Sequence, residues 1–244
     1  MAAQLTRRTW TRIGVTVLLA EAFMACTMVL GNLVFPTDAI IDLSRMIAGD
    51  HYAENQTPRL HSEGRVATTL HLLPSLVFVL VGIAQLWPKL RRRKYRPWHR
   101  WLGRTFIVTA ILSSLTGMYM SIRLNYTGWD EIIPSFLFGT ALVAFCTMGW
   151  IRARQRDFPA HQEWMILALA SGLGITLARI YLMLLTSVTG QEATEFFGSI
   201  FWMGSGSNVV LALIWLGVRR RMDQKDLEIR KRGRKERALG SVRS

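Results

Sequence analysis

Six apolar stretches alternate with blocks of lysine and arginine along this chain, and that segregation restricts the fold more than any other feature. The stretches cover residues 13–34, 66–88, 105–122, 133–151, 164–187 and 196–218. Each is close to the roughly 20 helical residues needed to cross a bilayer. Hydrocarbon offers the backbone no hydrogen-bond partner, so such segments are expected as helices rather than open strands. The predicted fold class is therefore all-α: a polytopic membrane protein built as a six-transmembrane-helix bundle.

The cations set the expected orientation. Of 30 Lys and Arg residues, three stand at Arg7, Arg8 and Arg12, eight lie in 89–104, three in 152–156, and eleven from Arg219 onward. With six crossings these four groups share one side. The other side keeps Arg45, Arg59, Arg65 and Arg123, beside acids such as Asp38, Asp50, Glu63, Asp130 and Glu195. Cationic loops are retained in the cytoplasm, so both termini are expected inside, at a bacterial inner (cytoplasmic) membrane. The chain then divides into a cytoplasmic N-terminus (1–12), a membrane domain (13–218) with an outer loop at 35–65, and a basic cytoplasmic tail (219–244).

The net charge of +14 would by itself suggest nucleic acid. Its confinement to the flanks of apolar segments argues otherwise, because juxtamembrane cations attract anionic lipid at about 1 kcal/mol each. The bilayer and its anionic lipids are the expected partners, and nucleic acid is not; no protein partner is named by the sequence. Trp10, Trp87, Trp98, Trp101, Trp129, Trp150, Trp164 and Trp202 fall near span ends, where aromatic rings anchor helices at headgroup level. Cys26 and Cys146 lie inside spans, without a CxxC pair, and are expected to pack. "LTRRTWTR" and "FMAC" loosely match export signals, but the apolar run continues past Cys26, so an uncleaved first helix is expected. In the outer loop, Ile40, Ile41, Leu43, Met46 and Ile47 predict a short interfacial helix over 39–48. Gly204, Ser205, Gly206 and Ser207 in the last span mark either close helix approach or a bend.

Ionisable residues inside a bilayer are costly and tend to pair or line a cavity. Three qualify: Glu21 in the first span, His71 in the second and Arg179 in the fifth. At about 1.5 Å per residue, His71 and Arg179 fall at a similar level in the outer half. They form an expected outer polar station, with Glu21 nearer the middle. A second set stands at the inner rim, where His99 opens the third span in "PWHRWLGR" and His161 opens the fifth in "FPAHQEWM". Two imidazoles at one depth could supply the axial ligands of haem iron, so His99 and His161 are the candidate metal ligands. Arg100 and Arg104 would then clamp propionates or another anionic head, such as that of a lipid or a quinone. His51, His61, Asp50 and Glu54 make a fainter metal candidate in the outer loop, and no P-loop, HExxH or GxSxG appears.

The succession of His71, "QLWPKLRRR" (Gln85–Arg93), "HRWLGR" (His99–Arg104), "HQEWM" (His161–Met165) and Arg179 resembles a bacterial family of predicted membrane proteins of unknown function. The likeness spans roughly residues 65–220 and implies a multi-helix membrane domain. The family pattern leads one to expect an arginine soon after "WM", where this chain has Leu167. A more distant resemblance to cytochrome-b-type bundles implies haem b as a cofactor. The expected function is thus the binding of a redox cofactor or anionic small molecule between the second, third and fifth spans. His71, His99, Arg100, Arg104, His161 and Arg179 are its candidate residues. The competing class is a non-enzymatic transporter or membrane assembly component, which uses the same residues structurally or for anion or proton passage. The residues do not decide whether the chain is an enzyme.

Overall fold

The computed structural model describes residues 2–241, which are helical throughout apart from short connections, with no strand among them. Six helices are long and apolar enough to cross a membrane. They are α1 (Ala2–Val34), α4 (Arg65–Leu86), α5 (Arg96–Arg123), α6 (Trp129–Arg154), α7 (Phe158–Thr189) and α8 (Phe197–Ser241). Two shorter helices, α2 (Thr37–Ala48) and α3 (Thr57–His61), occupy the segment between α1 and α4. Successive long helices run in opposite directions. One end of the bundle, the terminal end, carries both chain ends and the turns before α5 and α7. The far end carries α2, α3 and the turns before α6 and α8.

Helix α7 is the axis. It packs against α8, α6, α1 and α4, and the outer helices neighbour one another in the order α4, α5, α6, α8, α1 and back to α4. In the most apolar stretch of α7, 61% of residues are buried, against 22% in α1, α4, α5 and α6. Its sequence explains this position, since Ala168, Ala170, Ser171, Gly172, Gly174 and Ala178 let neighbours approach on several sides. Lipid is as apolar as leucine, so such close packing rather than hydrophobic burial holds membrane helices together. At the α7–α8 seam a Cβ on Gly204 would stand 2.5 Å from the Ala178 nitrogen, and one on Gly174 would stand 2.5 Å from Ser205 Cα. The small residues of "GSGS" therefore serve close approach, and α8 runs through them without unwinding.

Polar links fasten the helices at three depths. Near the terminal end Trp215 Nε1 donates to the Trp10 carbonyl at 3.1 Å, and Trp10 Nε1 donates to the Trp215 carbonyl at 3.3 Å, joining α1 to α8. Arg219 reaches Gln162 Oε1 at 2.8 Å, and Arg220 pairs with Glu163 through both carboxylate oxygens. In the middle, the Asn208 amide donates to Glu21 Oε2 at 3.1 Å and to the Ala170 carbonyl at 2.9 Å. At the far end Gln56 donates to the Leu124 carbonyl at 2.6 Å, and Thr186 to the Ile47 carbonyl at 3.0 Å.

Two expectations about extent need correction. The third membrane helix begins at Arg96 rather than 105, so "PWHRWLGR" forms its opening turns. Pro97 sits at the first helical positions, where its fixed φ favours initiation and its missing N–H costs nothing. The segment between α1 and α4 holds the helix expected over 39–48, and helix extends beyond it: α2, a π-helical turn at Tyr52–Gln56 and α3 together form a helical cap. Gly49, at φ +86°, makes the sharp break between α2 and that turn.

Candidate functional site

A cavity of about 340 Å³ lies between α7 and the facing walls of α4, α5 and α6, toward the far end. That is at the low end of the roughly 300–1,000 Å³ of small-molecule sites. Its polar lining comes from three walls: Thr68, His71 and Ser75 on α4; Ser113, Ser114 and Ser121 on α5; Ser171, Thr176 and Arg179 on α7. Positions three to four residues apart share a helix face, so Thr68, His71 and Ser75 form a polar stripe on α4. Phe78, Val79 and Leu142 close the apolar floor, and Tyr52 and Gln56 of the cap look in from above.

His71 is held by α5. Its Nδ1 lies 3.0 Å from the Ser113 carbonyl oxygen, which can only accept, so Nδ1 carries a proton, and in the neutral ring Nε2 is then the acceptor. Ser75 Oγ donates to the His71 carbonyl at 2.6 Å and lies 2.6 Å from Ser113 Oγ. Gly117 leaves room for the imidazole, since a Cβ there would stand 3.2 Å from His71 Cε1.

Arg179 is half-buried, with its guanidinium carbon 5.7 Å from the centroid of Phe197, a cation–π contact across the α7–α8 seam. No carboxylate lies within ion-pair distance of it, and no hydrogen-bond acceptor meets it, among the described residues. Glu131, buried in the first turn of α6, is coupled to Arg179 through its field. The Glu131 carboxylate is engaged by the backbone N–H groups of Tyr126, at 2.9 Å, and Thr127. Three further cavity groups, Ser114 Oγ, Ser171 Oγ and Thr176 Oγ1, are buried and have no hydrogen-bond partner among the described residues. Buried polar groups are normally satisfied. A cluster of hydroxyls beside a guanidinium is suited to a ligand bearing acceptor oxygens.

The sequence-derived candidates separate into two regions. His71 and Arg179 line the same cavity. Glu21, placed near them on depth alone, is instead buried against Asn208 and Ala170 and lines no part of it. His99 and His161 stand at the terminal end and line no part of it either. The His99 carbonyl accepts from Gln85 of α4 at 2.7 Å, whereas His161 Nδ1 donates to the Gly149 carbonyl of α6 at 2.8 Å. Arg100 and Arg104 are exposed on α5. Leu167, where an arginine was expected, is buried with Ile166 and Leu216. In the cap, His51 Nδ1 lies 2.8 Å from the Tyr126 hydroxyl, while Asp50 and Glu54 both bind Arg45. No group of three metal-ligating side chains occurs among the described residues.

Sequence reasoning missed Glu131, Asn208, Ser114, Ser171 and Thr176. Glu131 lies just outside the predicted fourth span, 133–151, and so was not counted among the intramembrane ionisable residues. The hydroxyls carried a usable signal in their spacing of three to five residues from Ser171 through Thr176 to Arg179.

Fold and site together define an α-helical multi-pass membrane protein with a polar cavity inside its bundle. Residues 68–216 match the family described as "Predicted membrane protein (DUF2306)", and the chain belongs to that family. Neither a search of curated proteins nor one of solved structures finds a match.

Proposed function

We propose that this protein binds a small molecule bearing oxyanion or carbonyl oxygens in the cavity between α4, α5, α6 and α7, with Arg179 as anchor. The observation that carries this reading is the guanidinium of Arg179, which has neither ion pair nor acceptor among the described residues. A charge at the centre of a membrane helix costs about 2.5–3.5 kcal/mol on insertion scales, a cost that an anionic ligand would offset. Ser171 and Thr176 of α7 and Ser114 of α5 line the cavity and supply hydroxyl donors, and the second ring nitrogen of a neutral His71 supplies an acceptor for any proton the head retains.

The test is chemical. Purified protein and its Arg179→Gln variant are extracted, and their co-purifying small molecules are compared by mass spectrometry. A species enriched with the wild type and absent from the variant supports the site; identical complements would refute it.

A second reading concerns the terminal end. His161 donates Nδ1–H to a backbone carbonyl, the arrangement that orients the free nitrogen of a ligating histidine. With His99 as the other ligand this would hold haem, and with Arg100 and Arg104 beside it the propionates. Haem-replete expression should then give a Soret band that is lost in His161→Ala.

A further inference from the structure

A second space of about 490 Å³ opens beside the central cavity, between the end of α1 and the start of α4. Asn32, Leu60, His61, Thr68 and Leu72 line both, so the two spaces adjoin. This crevice lies at a membrane boundary, because α1 leaves its apolar span at Val34 and α4 enters its own at Arg65. Its outer lips include Val34 and Phe35, which are 73% and 57% exposed and present apolar surface to the bilayer. Arg65 stands at the same rim, also exposed.

From this adjacency we infer that the ligand is a single-chain amphiphile with an oxyanion head, admitted sideways from the bilayer between α1 and α4. The inference rests on the proposed cavity site and specifies its ligand class. The head passes Arg65 and His61 and comes to rest at Arg179, and the chain trails back through the crevice to lipid. The reverse orientation would bring alkyl chain against the guanidinium and hydroxyls of the cavity, at the penalty of polar groups buried without partners. Size argues for one chain, since about 340 Å³ accommodates a head and its first methylenes but not the body of a two-chain lipid.

The test uses full-length protein in nanodiscs of phosphatidylcholine and palmitic acid carrying a diazirine on its chain. After irradiation the label should map to residues 32–37 and 65–72, be displaced by excess palmitic acid, and survive excess acetate. Arg179→Gln should weaken palmitic acid binding by at least about tenfold, the loss expected for a hydrogen bond to a charged group. If that variant fails to fold, the wild-type label map decides alone. Displacement by acetate or inorganic phosphate would overturn the amphiphile inference while leaving an anion site in the cavity. Labelling confined to other segments, unaffected by either soluble anion and unchanged in Arg179→Gln, would overturn both.

Discussion

The guanidinium of Arg179 stands over the ring of Phe197, 5.7 Å from its centroid, at the point where α8 begins. The ring offers partial compensation, because a cation–π contact is worth about 0.5–2 kcal/mol, less than the desolvation of a membrane-buried charge. Removing the charge should therefore relieve the empty protein. Arg179→Leu is expected to raise the melting temperature of ligand-free protein by a few degrees while abolishing ligand retention. A melting temperature that falls instead would mean that Arg179 is held by the fold rather than for a ligand.

The contact between Glu21 and Asn208 should behave in the opposite way. One amide serves both Glu21 on α1 and the Ala170 carbonyl on α7. Asn208→Leu strands a buried carboxyl and a carbonyl, at about 1–3 kcal/mol for each lost buried partner. Thermal unfolding in detergent should show a clear loss, and Glu21→Gln, which preserves a hydrogen bond, a much smaller one.

Two glycines of α8 make an internal comparison. Gly204→Ala drives a Cβ to 2.5 Å from α7 backbone, which only helix separation can relieve, whereas a Cβ on Gly217 meets nothing within 4 Å. Gly204→Ala should destabilise by about 1–3 kcal/mol, as overpacking does. Gly217→Ala should be neutral or stabilise by up to about 1 kcal/mol through helix propensity. Melting temperatures of the two variants, measured side by side, check both signs.

His61 at the crevice gives a pH dependence. Burial, and then the charge of Arg65, hold its imidazole below the ordinary histidine pKa of about 6.5. Above that value the ring is neutral in both folded and unfolded chains. As pH falls below it the unfolded chain takes up the proton first, so stability declines toward the folded pKa. Melting curves between neutral pH and pH 5 should drop more steeply for the wild type than for His61→Gln. Tyr126, whose hydroxyl meets His51, should stay un-ionised to about pH 12 because burial, Tyr52 and Glu192 all raise it.

Orientation is checked by single cysteines. An impermeant maleimide applied to intact cells should label Asp42→Cys in the cap and leave Lys94→Cys unlabelled, as cationic retention requires. The reverse pattern would place the proposed crevice at the opposite membrane face.

The six crossings and the cap helix over 39–48 were legible before any coordinates. Length and hydropathy are local properties, and in hydrocarbon they leave helix as the available form. Depth along a helix is likewise additive, which is why His71 and Arg179 could be set at one level. Depth says nothing about rotation around the helix axis or about which helices are neighbours. Glu21 therefore appeared within reach of Arg179 when it meets Asn208. Only tertiary packing decided those partners, because each helix turns to bury its small residues, Gly174 against Ser205 above all. That rotation gathers Ser114, Ser171, Thr176 and Arg179 around one cavity from walls nearly sixty residues apart in the chain.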